Sequence, residues 1–154
     1  MGKNLKSLKR YLEDEEVDVQ FHTFTKSTLT VKDSSVLVDA EPDRIVKSLV
    51  FKDENDCFLL AIVSGNKRVD EEKLSKAHGS KVRMAKAREV EKATGYKIGE
   101  VPPVSHDIET YIDSKIMDFD KVFAGGGSTH ALIEINPKDI LNLSDAKISN
   151  IGKK

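Results

Sequence analysis

Hydrophobic positions along this chain switch repeatedly between two periods. Leu5, Leu8 and Leu12 recur at helical spacing across residues 4–15, which predicts an amphipathic helix. Val17, Val19 and Phe21 then alternate with Asp18, Gln20 and His22, the pattern of a half-buried strand. Thr30-x-x-Asp33 predicts the cap of a short helix running through Val36 and Leu37. Arg44 to Phe51 is rich in β-branched and apolar residues and follows the punctuation Glu41-Pro42-Asp43, so it predicts an interior strand covered on both faces. Asp53 to Asp56 is a polar turn, and Phe58 to Ser64 returns as the second strand of a hairpin.

The second half continues the alternation. Asp70 opens a helix over residues 71–78 that Gly79 ends, Val82 and Met84 make a short strand, and residues 85–94 form a helix stopped by Gly95. Gly99 to Val104 must be a loop, because the pair Pro102-Pro103 forbids a regular ladder. Strands are expected over 111–116, 121–124 and 131–135, the last two joined by Gly125-Gly126-Gly127-Ser128-Thr129. Asn136-Pro137 starts a final helix running to about Leu143. Hairpins and helices are mixed, and no repeat or linker interrupts them. The expected fold class is α+β: a single domain over residues 1–154, with a mixed, largely antiparallel sheet flanked by helices.

Composition narrows the function classes. A net charge of -1 argues against nonspecific nucleic-acid binding by the whole surface, yet residues 67–92 hold nine Lys/Arg against five Asp/Glu. Lys81, Arg83, Lys86 and Arg88 in that stretch are either a solvated surface or a seat for a phosphate backbone. Cys57 is the only cysteine, so an intrachain disulfide is impossible, and its place in the apolar, strand-like run Cys57 to Val63 predicts a buried, inert thiol. The N-terminus has no apolar signal region and no run reaches membrane-spanning length, which predicts a cytoplasmic protein with no membrane partner.

Candidate chemistry is sparse. His22, His78, His106, His130 and Cys57 have no zinc-like spacing, so no metal and no cofactor is expected. There is no Gly-x-Ser-x-Gly elbow. The 125–129 stretch lacks the Gly-Lys-Ser/Thr ending of a nucleotide loop, although bare glycine backbone could also hold a ligand oxygen. An ordinary hairpin turn is the alternative. Lys47 is the anomaly. Alternation places it on one face of the interior strand with Ile45, Leu49 and Phe51. It either lays its stem on the sheet with its head in water or stands in the wall of a pocket, because an unpaired buried ammonium is costly. His130 follows the glycine turn as a structural hydrogen-bonder or a catalytic group.

Four segments together resemble the YbaK/ProX aminoacyl-tRNA deacylases, which are related to the editing insertion of bacterial prolyl-tRNA synthetases. They are Arg44 to Val50, Ser64 to Asp70, Ala93 to Pro103 and Phe123 to His130, in an order and spacing that cover about Val19 to Leu143. The resemblance implies a curved mixed sheet with a cleft and metal-independent hydrolysis of the ester joining a wrong amino acid to tRNA, of the Cys-tRNA(Pro) or Ala-tRNA(Pro) type. A prolyl-tRNA synthetase is a possible partner. By position it implies Lys47 as the key lysine and His130 as a second catalytic residue. Gly99, Val101, Pro102 and Pro103 would form one substrate loop, and Gly125, Gly126, Gly127 and Ser128 the other wall, with Phe24 at an aromatic position. Cysteine-specific members carry an aspartate where this chain has Leu132 and a serine where it has Gly125, which leaves alanine or another small amino acid open. A non-catalytic module binding tRNA or a nucleotide in the same cleft is the alternative function.

Overall fold

The computed structural model describes residues 2–154. Five helices, α1 (Leu5–Asp14), α2 (Val31–Val38), α3 (Glu71–His78), α4 (Ala87–Thr94) and α5 (Pro137–Ser144), alternate with ten strands. The strands are β1 (Gln20–Thr23), β2 (Val46–Asp53), β3 (Phe58–Ser64), β4 (Arg68–Val69), β5 (Val82–Met84), β6 (Glu109–Asp113), β7 (Val122–Gly125), β8 (Ala131–Ile135), β9 (Lys147–Ser149) and β10 (Gly152–Lys153). The expected mixed α+β architecture is what forms. A five-stranded sheet in the order β5-β2-β3-β6-β9 is antiparallel at one end and parallel at the other. An antiparallel trio β1-β8-β7 and a small pair β10-β4 complete it.

The β2–β3 hairpin is the spine. Its register runs from Val46↔Ser64 to Lys52↔Phe58. Leu59, Leu60, Ala61, Ile62 and Val63 are all completely buried, so β3 is covered on both faces. One face packs Val46, Val50, Leu60 and Ile62 against α1, α4 and the 101–104 loop. The other packs Phe51, Leu59, Ala61 and Val63 against α3 and Ile151. A third, smaller cluster, of Ile45, Phe123 and Leu132 with Phe24, joins the start of β2 to β7 and β8, where Ile45 bridges to Phe123.

The helices begin where their capping residues stand. Asn4, Thr30, Asp70 and Asn136 each accept a main-chain N–H of the first turn, and Gly79 and Gly95 end α3 and α4 in the left-handed conformation.

Several expectations need correction. Cys57 is exposed, not buried. It belongs to the hairpin turn, where its N–H donates to Asp53 Oδ1 at 2.9 Å, and β3 starts one residue later. The strand expected over 111–116 ends at Asp113 and gives way to a 3₁₀ turn, Ser114–Asp118. The first strand is only Gln20–Thr23, and β4, β9 and β10 were not expected at all. Among the described residues, no helix is long and apolar enough to cross a membrane.

Candidate active site

Six consecutive residues of β2 and its lead-in, Ile45 to Val50, line a cleft of about 420 Å³. The loop before α2 and its first turns supply Thr28, Leu29, Thr30, Val31 and Ser34. Met84, Ala85 and Val90, from the end of β5 to α4, line it as well. So do Ile98, Gly99 and Val101 of the following loop, and Gly125, Ser128 and Leu132 from β7, β8 and their connection. The volume lies within the range of small-molecule sites, roughly 300–1,000 Å³. The wall is mostly apolar, and Lys47 is its single ionisable residue.

The two glycine-bearing loops touch. A side chain at Gly125 would come within 2.8 Å of the Val101 carbonyl oxygen, so only glycine permits this approach. Gly99 has φ +85°, and a Cβ there would meet the Leu29 side chain at 2.8 Å. Both positions therefore trade a side chain for exposed main chain beside the cleft.

The Lys47 amine is half-buried and donates to the carbonyl oxygen of Lys67, in the turn after β3. No carboxylate among the described residues lies within salt-bridge distance of it. Burial, and secondarily the Arg68 guanidinium, push its pKa down. An ammonium so placed lacks a counter-ion and is poised to receive one.

Other residues picked from the sequence sit elsewhere. Gly126 and Gly127 are buried, one against Ala131 and the other against the backbone of Asn4 and Leu5. Neither lines the cleft. Pro102 and Pro103 are buried behind the loop, and Phe24 packs into the third core cluster. His130 is exposed and outside the lining, its Nδ1 2.9 Å from the Thr129 hydroxyl. Lys81, Arg83, Lys86 and Arg88 are all exposed and flank the cleft residues Met84 and Ala85 in sequence. Arg83 is already engaged by both Glu89 oxygens at 3.1 Å. Among the described residues no group of His, Cys, Asp or Glu is placed to hold a metal.

His106, which the sequence offers only as a metal ligand without a partner, lies outside the cleft lining and acts on the loop behind it. It is 2% exposed, and its Nε2 donates to the Pro103 carbonyl at 2.9 Å, while Ile108 N–H donates to Nδ1 at 3.3 Å. The bond from Ile108 needs the neutral imidazole, since Nδ1 can accept only when it carries no proton, and through the bond to Pro103 the ring fastens the loop that carries Val101. Burial lowers its pKa to about 4, against the smaller opposing pull of the Pro103 carbonyl. An unfolded histidine titrates near ~6.5. Below that pH the unfolded chain takes up a proton that the fold refuses. Stability is therefore complete above pH ~6.5 and falls as pH drops toward ~4, by about 3 kcal/mol in total. Urea denaturation of wild type and His106→Gln across this range checks it: the variant should lose that part of the slope.

The family model described as the aminoacyl-tRNA editing domain matches residues 25–143. This chain belongs to that family. It is 32% identical over 147 residues to the uncharacterized protein YwhH of Bacillus subtilis (strain 168), covering 94% of each. It is 27% identical over 150 residues to the "Putative Cys-tRNA(Pro)/Cys-tRNA(Cys) deacylase EbsC" of Enterococcus faecalis (strain ATCC 700802 / V583), covering 94% of this chain and 92% of that one. A solved structure described as "a putative trans-editing enzyme for prolyl tRNA synthetase" superposes with a TM-score of 0.90 at 33% identity, covering 97% of both chains. The editing-domain match spans every segment that borders the cleft.

Proposed function

We propose that this editing domain is a trans-acting deacylase that hydrolyses the ester of a small, uncharged amino acid mischarged on tRNA(Pro), alanine or cysteine. The observation that carries the reading is the lone, counter-ion-free ammonium of Lys47 in the wall of an otherwise uncharged cleft. It would hold a ribose or phosphate oxygen of the tRNA end, or the oxyanion that forms when water attacks the ester carbonyl.

With no carboxylate or imidazole in the wall, the cleft has no residue to act as general base. Catalysis would rest on positioning and on fixed donors, the ammonium and the main chain of the 99–101 and 125–128 loops. Water forms the new C–O bond and the bond to the ribose oxygen breaks; of the two protons of that water, one ends on the ribose oxygen and the other passes to solvent at the open mouth. Leu132, Ile45 and Val31 give the inner wall an apolar surface suited to a small side chain, and a larger cognate residue would be excluded by size. Leu29, Met84 and Ile98 are more than half exposed and border the same cleft, an apolar rim fit to lie against the terminal adenine. Beyond the rim, Lys81, Lys86 and Arg88 would meet the acceptor backbone, with Arg83 tied to Glu89, and binding would weaken with salt.

The test is a panel of mischarged tRNAs. Ala-tRNA(Pro) and Cys-tRNA(Pro) should lose their amino acid at a rate first order in enzyme, with Pro-tRNA(Pro) spared. Saturable, salt-sensitive binding of uncharged tRNA with no ester loss from any member would replace the hydrolase by a binding module.

A further inference from the structure

A strand seen face-on offers alternate residues to a pocket. β2 offers Ile45 through Val50 without a gap, so the cleft meets this strand edge-on. Pairing explains why. On one side β2 is bonded to β3 throughout, but on the other its ladder with β5 covers only Phe51 to Asp53, and β7 meets it only at the Ile45–Phe123 bridge. The last bond before the gap runs from Ala85 N–H to the Val50 carbonyl at 2.9 Å. Antiparallel alternation then fixes which groups point outward. Gly65 N–H bonds to the Ile45 carbonyl on the β3 side, so odd-numbered residues face β3 and the even ones, Val46, Ser48 and Val50, face the cleft. The Ser48 carbonyl and the Ser48 and Val50 N–H groups thus stand on an open stretch of edge, between the Ala85–Val50 bond and the bridge by which Ile45 meets Phe123 of β7. The Ser48 hydroxyl is buried there as well and has no hydrogen-bond partner. Buried polar groups left unpaired are costly, and a cluster of them beside a cleft marks groups kept for a ligand.

We infer that this edge is the recognition ledge for the α-amino ester itself. Resting on the deacylase reading, the geometry gives the substrate's α-ammonium the Ser48 carbonyl as acceptor. The ester's carbonyl oxygen receives the Ser48 or Val50 N–H, as an added strand would. Main-chain reading of this kind recognises what all aminoacyl esters share. Selection among side chains is left to the apolar wall, and an N-acylated amino acid, which has lost its ammonium, is rejected.

The probe is the amide of alanine with 3′-amino-3′-deoxyadenosine, which cannot be hydrolysed, and its N-acetyl derivative. Both are titrated into the ¹⁵N-labelled chain of residues 1–154. The Ser48 and Val50 amide resonances should move more than those of Lys47 and Leu49, which are tied to β3, and N-acetylation should weaken binding at least ~10-fold, one lost charge-assisted contact. Ser48→Ala should weaken binding about 3- to 10-fold, the size of one hydrogen bond, while Tm holds or rises, because an unpaired hydroxyl is removed. A purely structural serine would lower Tm instead. Unmoved Ser48 and Val50 amides, or equal binding of the acetylated probe, overturns the ledge. Ester loss from the tRNA panel with those amides unmoved leaves the deacylase reading intact. Shifted amides with no ester loss anywhere keep the ledge and defeat the hydrolase.

Discussion

Replacing Lys47 by alanine is expected to lower kcat/KM for deacylation by about 10²–10³-fold, the usual loss when one fixed donor to a developing oxyanion is removed. The fold should not suffer. Lys47 contributes one hydrogen bond, to a main-chain oxygen, and no salt bridge, while its half-buried ammonium bears a desolvation cost that pushes its pKa down. Lys47→Met, which keeps the stem and discards the charge, should match or exceed the wild-type Tm and still be inactive. That pairing of lost rate with retained stability separates a group held for a ligand from one held for the fold. Steady-state deacylation of Ala-tRNA(Pro), read beside thermal melts of the same preparations, measures both. Unchanged turnover in Lys47→Met would remove the lysine from the chemistry. Recovery of activity in Lys47→Arg would show that the charge suffices without the compact amine.

How much of this was legible in the chain depends on how local the cause was. The β2–β3 hairpin, the caps at Thr30, Asp70 and Asn136, and the stop at Gly95 are set by residues within a few positions of one another, and all stand where the pattern put them. Strands β4 and β10 are two residues each and β9 three, too short for any period to show. Cys57 reads as the first residue of an apolar run, but the Asp53 carboxylate draws its N–H into the turn. The glycine stretch looked uniform, yet Gly125 faces the cleft, while Gly126 and Gly127 serve packing against β8 and the start of α1. Such a division depends on neighbours more than a hundred residues away in the chain for Gly127. The free edge of β2 has the same origin: it exists because β5 pairs no further than Phe51, and no feature of the Ile45–Val50 segment announces it.

The largest loss of stability should come from a residue outside the cleft. Asp113 is completely buried at the end of β6, and its Oδ1 accepts the N–H groups of Ile151 at 3.0 Å and Gly152 at 3.1 Å. Its Oδ2 lies 3.7 Å from the Lys67 amine. One side chain thereby ties the C-terminal segment to the sheet and lets β10 pair with β4 at Gly152↔Val69. Asp113→Ala would leave two buried main-chain donors without their acceptor and the Lys67 ammonium without its counter-charge, a cost of about 3–5 kcal/mol. For a chain of this size that corresponds to a Tm lower by about 6–20 °C. Asp113→Asn retains an oxygen for the two N–H groups and should lose less than half as much. The damage should also reach the cleft, because Lys67, at the head of β4, supplies the carbonyl that Lys47 grips. Loosening β4 frees the ammonium, so Asp113→Asn should raise KM for aminoacyl-tRNA at temperatures where the protein remains folded. Calorimetry together with deacylation kinetics at about 20 °C below the variant's Tm, a margin at which unfolding is negligible for a two-state domain, separates the two effects. A melt within ~1 °C of wild type for Asp113→Ala, well inside the shift expected of a surface substitution, would show that the clamp on the C-terminal strand bears no load.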